Sequence, residues 1–305
     1  MPIWSRRSVL LAAVARLFAE RTAESPIAAE TGYRADAVIL LFGIPIFTRK
    51  GVGSGIGVYA ETMRGEEREI TLEFSAGSDP KAAKGLNRYG SIREVVVERM
   101  TPGRQPIAVQ ASYFGFMTSS PEESREQAQR VLNSAAGVDQ PCTTVEGSID
   151  PTESLTRKTT LSVPSSHSWR SLRQLTPPLQ TAVRSTLPKR RARSSNMPPV
   201  TFLYSVIRGI GSGKGKSESV YSYMGDDYRL RLEQKPDPAA GRRMHEAGLT
   251  RTPDRVMVVQ GLITNLSNDK KTQFRLWRHD GNAGLPLRIE YHARAFLKLI
   301  FEQQA

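Results

Sequence analysis

The chain has 305 residues, of which 39% are hydrophobic and 24% are charged, and its formal net charge is +13. This composition excludes a disordered or fibrous protein, and the length is enough for about two domains with a substantial buried core. The single cysteine, Cys142, excludes an intrachain disulfide.

The positive charge is unevenly distributed along the chain. Residues 1–150 hold 17 Lys and Arg against 18 Asp and Glu, residues 151–199 hold 9 against 1, and residues 200–305 hold 17 against 11. The excess therefore lies in the middle segment and the C-terminal part. Such a distribution favours an anionic partner, either a phospholipid envelope surface or nucleic acid, although a basic solvated segment without a partner gives the same pattern.

The N-terminal segment has the layout of a twin-arginine export signal. Arg6 and Arg7 precede a short, modestly apolar stretch that ends near Ala19 and is interrupted by Arg16. An amphipathic helix is the alternative interpretation. We predict an export signal over residues 1–29 and therefore an exported protein of the periplasm or cell envelope. No stretch of the sequence has 18 uninterrupted apolar residues, so no transmembrane span is predicted.

A first β module is predicted over residues 30–165. Its strands are indicated by apolar runs and by alternation, as where Val95 and Val97 alternate with Glu94 and Glu98. Ser120 and Pro121 begin a predicted helix over residues 121–136. A Ser- and Thr-rich loop is expected between that helix and a last short strand. The predicted strands of this module are 37–47, 70–74, 95–97, 109–117 and 161–163, and the loop is 137–160.

A helical and basic linker is predicted over residues 166–199. Two short helices joined at Pro177-Pro178 come first, and the polar sequence 187–199 follows. The basic run 188–193 resembles a nucleic-acid patch. Because it lacks the interleaved aromatic residues that stack on bases, we predict a solvated linker and regard nucleic acid as an unlikely partner.

A second β module is predicted over residues 200–305, with every segment read as antiparallel strand. The complete chain is therefore predicted to be mainly β (α+β), with two tandem antiparallel sheet or half-barrel modules and a few short helices. The strands of the second module are predicted at 200–207, 219–223, 228–234 and 255–263, followed by three alternating runs within 271–302.

Two glycine-rich segments suggest that the second module duplicates the first. Residues 51–57 and 209–215 both carry glycine at alternate positions, and each is followed by Val-Tyr and later by Asp-Pro at nearly constant offset. We therefore predict that residues 37–117 and 200–279 correspond strand for strand.

The sequence offers no convincing catalytic, cofactor-binding or metal-binding set. The run ending in Gly215-Lys216-Ser217 is one residue short of a phosphate-binding loop and precedes a strand rather than a helix. The four histidines are scattered without metal-ligand spacing. No Gly-x-Ser-x-Gly elbow of a serine hydrolase occurs in the glycine-rich segments. We therefore predict a non-catalytic protein with no cofactor and no metal.

A resemblance to known proteins is confined to the C-terminal part. The run Leu276-Trp277-Arg278-His279-Asp280, a turn with glycine, and then Gly284-Leu285-Pro286-Leu287-Arg288-Ile289-Glu290 resemble a "strand, Asp turn, Gly-Leu-Pro, strand" signature. This signature is similar to that of exported bacterial envelope proteins related to the lipoprotein-sorting carriers. The resemblance implies an incomplete β-barrel that cradles acyl chains, without fixed catalytic residues.

The candidate ligand site is one apolar face of this C-terminal meander. Basic side chains at Arg275, Arg288 and Arg294 are expected at its rim, where they would attract an anionic headgroup. The alternative is that this face is simply core. We predict an exported envelope protein that binds a lipid-like ligand; the alternatives are a nucleic-acid-associated protein using the basic linker, or an enzyme. The residues of the candidate apolar face are Phe274, Leu276, Leu287, Ile289 and Tyr291.

Overall fold

The computed structural model describes residues 27–41, 44–83, 87–118, 140–164, 172–193, 197–280, 285–294 and 297–304. These residues form a mainly β structure with three short α-helices, as the sequence predicts. The predicted helix 121–136 and most of the predicted export signal lie outside the described residues. The helices are α1 (Leu172–Arg184), α2 (Phe202–Gly211) and α3 (Pro238–Glu246), and a 3₁₀ turn spans Pro253–Arg255.

The described strands form one antiparallel sheet. They are β1 (Ile27–Leu41), β2 (Ile44–Arg64), β3 (Glu67–Ser78), β4 (Tyr89–Arg99), β5 (Ile107–Met117), β6 (Gln140–Ile149), β7 (Glu153–Val163), β8 (Lys189–Ala192), β9 (Lys216–Tyr223), β10 (Asp226–Pro236), β11 (Val256–Asn265), β12 (Lys271–His279), β13 (Arg288–Arg294) and β14 (Leu297–Gln303). The spatial order is β8-β7-β6-β5-β4-β3-β2-β1-β14-β13-β12-β11-β10-β9. The sheet is not closed into a barrel.

The strands form two meanders that share this sheet. Strands β1 to β8 follow one another from the middle of the sheet to one end, and β9 to β14 follow one another from the other end back to the middle. The meanders meet where β1 pairs with β14, with Tyr33 opposite Gln303 and Ala37 opposite Leu299. The first and last of these strands, β1 and β14, are thus neighbours within the sheet.

The main core lies between the inner face of the sheet and helix α2. Buried side chains from both meanders, including Leu72, Val96, Leu230 and Val259, form a single cluster with those of α2. The sheet therefore curls around this helix, because only a curved sheet brings both meanders to the same ten residues. Burial of apolar side chains from both meanders in one core is the main stabilising contribution.

Helices α1 and α3 cover two separate parts of the outer face. Four apolar residues of α1, at positions 172, 175, 179 and 183, pack on β5, β6 and β7 around Phe114 and Cys142. Helix α3 packs through Ala240 and Met244 on Val258 and Trp277. Asp237 caps α3, since its side chain accepts a hydrogen bond from the Ala240 amide at 2.9 Å.

Several local predictions are wrong, and the reasons are physical. Residues 200–207 were expected to be strand but belong largely to α2. The apolar residues of this helix pack in the main core, and a short continuous apolar run does not distinguish a buried helix from a buried strand. The predicted pair of helices joined at Pro177-Pro178 is the single helix α1. Burial of its apolar face offsets the backbone hydrogen bonds that the prolines remove.

Three further boundaries differ from the predictions. The apolar run 37–47 contains the end of β1 and the start of β2 rather than one strand, and these form a hairpin. The predicted loop 137–160 contains β6 and most of β7, whose threonines suit extended structure. The predicted linker 187–199 contains strand β8, which pairs with β7.

The glycine segments do not occupy equivalent positions. Gly53, Gly55 and Gly57 lie in the interior of β2, whereas residues 209–215 form the end of α2 and the connection to β9. The predicted strand-for-strand duplication is therefore wrong at its principal landmark. The glycines of β2 have a packing reason instead, because a Cβ on Gly53 would lie 2.2 Å from the Gly77 carbonyl oxygen.

Candidate ligand-binding groove

The apolar face predicted to bind an acyl chain lies mainly inside the core. Phe274 and Leu276 are only 7% and 6% exposed, and both belong to the cluster around α2. The Phe274 ring meets the Phe202 ring edge-to-face, with 5.8 Å between centroids. Phe274 and Leu276 are therefore part of the core, as the alternative interpretation in the sequence analysis proposed.

The other three apolar candidates, Ile289, Tyr291 and Leu287, do not lie in one common site. Ile289 lies opposite Leu276 and packs against the same core cluster, and Tyr291 lies opposite Phe274 but is 40% exposed. Leu287 precedes β13 and packs instead with Trp277 beneath α3. The structure thus brings Phe274, Leu276 and Ile289 together and separates Leu287 from them, because the regular alternation of β13 begins only after Leu287.

Of the three basic candidates, Arg275 and Arg288 differ in whether they are free to bind a ligand. Arg288 lies 5.5 Å from the Trp277 ring and forms ion pairs with Glu290 at 2.7 Å and Glu302 at 3.0 Å. Arg275 is exposed and points to the outer face, opposite Gln260 and Glu290 on the neighbouring strands. The side chain of Arg294, which ends β13, lies outside the described part of the structure.

An open groove of about 910 Å³ occupies the outer face of the second meander, beside α3. Its floor is made by outward-facing side chains of β9 to β14, and the β1–β2 hairpin contributes Leu40 and Pro45 at one side. Apolar and charged groups therefore line the same concavity. Its outward-facing lining includes Leu40, Pro45, Lys216, Glu218, Arg231, Glu233, Gln260, Leu262, Gln273, Arg275, Glu290, His292 and Lys298.

The carboxylates of the groove are already paired with cations. Glu218 receives a 2.6 Å contact from Arg231, whose hydrogen bond lowers the pKa of this carboxyl group. Burial raises the pKa of Glu290, but hydrogen bonds and charge from Arg288 and Lys298 outweigh burial and hold the pKa below its usual value. Lys298 lies 3.1 Å from Glu290. The acidic groups are therefore neutralised locally.

Arg275 is the cation of this groove that stands apart from these pairs. Within the described ranges, Arg275 has no carboxylate within ion-pair distance, and the facing Glu290 is engaged by Arg288 and Lys298. An exposed guanidinium beside apolar Leu262 can bind a carboxylate or phosphate in a bidentate manner. The groove can thus hold a molecule with one apolar part and one anionic part.

The basic run 188–193, considered for nucleic acid, is engaged within the fold. Arg190 pairs with Glu153 at 3.0 Å, and Arg191 pairs with Asp227 at 2.8 Å. Arg193 donates hydrogen bonds to the carbonyl oxygens of Asp150 and Pro198. These arginines hold β8 in place rather than forming a free basic arm.

The most unusual buried groups were missed by the sequence analysis. Glu94 and Glu98 face inward with Val96, are fully buried, and lie beneath α2, whereas alternation had suggested Val95 and Val97 as the inward residues. The Glu94 carboxylate accepts a hydrogen bond from the Tyr204 amide at 3.2 Å, and Tyr204 donates its hydroxyl to Glu98. Recognition of α2 as a helix could have predicted a buried carboxylate, because the free backbone amides at a helix N-terminus need a hydrogen-bond acceptor.

Across the described segments, no three His, Cys, Asp or Glu side chains are grouped so that they could hold a metal ion. In the same part of the chain, no helix is both long enough and apolar enough to cross a lipid bilayer.

Comparisons of the chain with protein-family models, curated proteins and solved structures found no match. The resemblance to the lipoprotein-sorting carriers thus remains a prediction.

Proposed function

We propose that the protein is a non-catalytic binding protein for an anionic, lipid-like molecule, which it holds in the groove on the outer face of the second meander. The observation that carries the proposal is the juxtaposition of Arg275, which has no ion pair among the described residues, with apolar Leu40, Pro45 and Leu262 in one concavity. The proposal retains Arg275 from the sequence analysis and replaces the buried residues Phe274 and Leu276 by groove residues.

The size and chemistry of the groove favour a single-chain amphiphile. Its volume of about 910 Å³ lies within the range of small-molecule sites, roughly 300–1,000 Å³. Burial of about six methylenes would contribute roughly 5 kcal/mol before ordering costs, at about 0.8 kcal/mol each. One charge-assisted contact to Arg275 adds roughly 1.5–3 kcal/mol, so the gross gain is about 6.5–8 kcal/mol and the affinity is micromolar at best. A ligand of this kind needs no catalytic residue.

A fluorescent single-chain fatty acid tests the proposal. The full-length protein should bind the probe, and Arg275→Ala should weaken binding about tenfold because the carboxylate loses its charge-assisted partner. Leu262→Asn should weaken it as well. Arg242→Ala, which removes an exposed arginine of α3, is the matched control and should leave affinity unchanged. Equal affinity of wild type and Arg275→Ala, or absence of binding by folded wild type, would refute the groove as the site.

Export to the periplasm or cell envelope is part of the same proposal. It is supported by the arrangement of Arg6 and Arg7 before a short apolar stretch. Expression in a bacterium with a twin-arginine export system, followed by fractionation, tests it. The wild-type chain should be found outside the cytoplasm in shortened form, and the variant with both arginines changed to lysine should stay inside. Uncleaved wild-type protein in the cytoplasm would contradict export.

A further inference from the structure

The β1–β2 hairpin ends in a cluster of exposed apolar side chains. Leu41, Ile44, Ile46 and Phe47 are 53%, 66%, 59% and 57% exposed, respectively. Residues 37–48 contain no charged residue. Exposed apolar side chains that are adjacent, rather than scattered singly, mark an interaction site.

The hairpin end extends past the strands on both sides of it. The described pairing between β1 and β14 ends at Ile39, and the described pairing between β2 and β3 begins only at Gly53. The base of the hairpin is nevertheless anchored, because Val38 and Leu40 are buried with Ile300 of β14. The apolar end is therefore held on a rigid support and presented away from the sheet.

The distribution of these side chains distinguishes a lipid surface from a protein partner. Leu41 and Ile44 are directly opposite each other, whereas the adjacent Pro45 projects to the other face of the hairpin, opposite Leu40. Exposed apolar groups therefore lie on both faces, with Leu41 and Ile44 on one and Pro45 on the other. A protein partner that packs on one face of the hairpin would leave the apolar groups of the other face in water. The acyl region of a lipid bilayer would surround the apolar groups of both faces.

A basic collar follows the apolar end. Arg49 and Lys50 come directly after the uncharged run, and residues 37–60 contain no acidic residue. Three residues of extended strand, about 10 Å, separate Ile46 from Arg49, which matches the roughly 5–10 Å depth to which interfacial elements enter a bilayer. Lysine and arginine at that level lie among the headgroups and favour anionic lipids.

We infer that the β1–β2 hairpin docks the protein on an anionic phospholipid surface, with Leu41, Ile44, Ile46 and Phe47 in the acyl region and Arg49 and Lys50 at the headgroups. Docking does not require an occupied groove. It does place the groove near the lipid, because Leu40 and Pro45 belong to both the hairpin and the groove lining.

Vesicle co-sedimentation of the full-length protein tests the apolar contact. Wild type should bind vesicles of equal parts phosphatidylglycerol and phosphatidylcholine. Ile46→Asp and Phe47→Asp should each reduce partitioning at least about tenfold, since each removes buried apolar area and adds a charge. The matched control is Ile107→Asp at the start of β5, where the side chain is 61% exposed but far from the hairpin in sequence; it should bind as wild type does.

The same assay tests the collar. Arg49→Ala and Lys50→Ala should each lower partitioning about fivefold, and pure phosphatidylcholine vesicles should bind wild type more weakly. Lys189→Ala on β8 should have no such effect. A Phe47→Trp variant should show a blue shift of its added emission with vesicles, and Ile107→Trp should not.

The outcomes are separable from those of the groove. Equal binding of hairpin and Ile107 variants, absence of binding by folded wild type, or an unshifted Phe47→Trp emission would each overturn docking by this hairpin. None of these depends on the fatty-acid probe, whose binding should be unchanged in Phe47→Asp. Thermal melts that match wild type establish that the variants remain folded, as expected for exposed positions.

Discussion

The guanidinium of Arg191 lies 2.8 Å from the carboxylate of Asp227 and also donates a hydrogen bond to the Gly225 carbonyl oxygen. Arg191 is on β8, at one end of the sheet, and Asp227 is the second residue of β10, next to β9 at the other end. The Tyr113 hydroxyl adds a second contact by accepting a hydrogen bond from the Met224 amide at 2.9 Å. The two ends of the sheet are thus joined by side chains rather than by strand pairing.

We call these contacts, Arg191 with Asp227 and Tyr113 with Met224, the clasp. The clasp predicts that the stability effects of substitutions at Arg191 and Asp227 are coupled. Arg191→Ala should lower the free energy of unfolding by about 1 kcal/mol, because the pair is partly exposed and solvent screens it. A double-mutant cycle with Asp227→Ala, followed by urea denaturation, should give a coupling energy of the same order. Arg190→Ala, which removes a more exposed pair with Glu153, should cost less. Additive effects of the Arg191 and Asp227 substitutions would contradict the clasp.

Close contact between Phe274 and Gly261 gives the next prediction. The two residues are directly opposite on β11 and β12, and a Cβ at Gly261 would lie 2.1 Å from the phenyl ring. Gly261→Ala should therefore displace Phe274 and destabilise the protein by about 1–3 kcal/mol in urea denaturation. Gly211→Ala is the control, since a Cβ there meets nothing within 4 Å; it should be neutral or slightly stabilising.

A connected pair of hydrogen bonds at Asp237 gives a third prediction. One carboxylate oxygen caps α3 at Ala240, and the other accepts from the Trp277 indole at 3.0 Å. Asp237→Ala should cost about 2 kcal/mol, because it removes a helix cap and leaves a partly buried indole N–H without its partner. Asp254→Ala, at an exposed position in the neighbouring 3₁₀ turn, should change the urea midpoint little. Equal losses would indicate that the cap is not specific.

Alternation in the sequence was sufficient to predict much of the sheet. Strands β3, β5 and β9 to β14 were anticipated because one face of each is buried and the other is exposed to solvent. Apolar and polar residues therefore alternate along these strands. Helix α2 was not anticipated, because its ten residues contain only a short apolar run that fits a buried strand as well as a helix when burial is unknown. Strand β6 and most of β7 were missed because their threonines look like loop residues when burial is unknown.

The candidate site was less accessible to sequence reasoning. Arg275 was identified from its place beside an apolar strand, but the groove depends on Pro45 and Leu262, which are brought together only when β1 pairs with β14. Long-range pairing of this kind leaves no local pattern. Glu94 was misassigned for a related reason, since a glutamate in an alternating strand is ordinarily taken to face water.

The final prediction concerns this buried carboxyl group. Burial raises the pKa of Glu94 to about 7, although the hydrogen bond from the Tyr204 amide near the N-terminus of α2 opposes the rise. In the unfolded chain the group ionises near its ordinary value of 4.5. Between these two values the folded protein binds one proton more than the unfolded chain. Stability contributed by protonated Glu94 is therefore present below pH 4.5 and is lost as pH rises through about 7.

Glu94→Gln isolates this effect because glutamine cannot ionise. The free energy of unfolding of wild type relative to the variant should fall by about 3 kcal/mol between pH 4.5 and pH 7 and stay constant above that range. Urea denaturation across the range measures it, and Glu66→Gln, at an exposed turn, should follow wild type at every pH. A constant difference between wild type and Glu94→Gln would show that Glu94 keeps its ordinary acidity, so the amides and dipole of the α2 N-terminus would then fully compensate its burial.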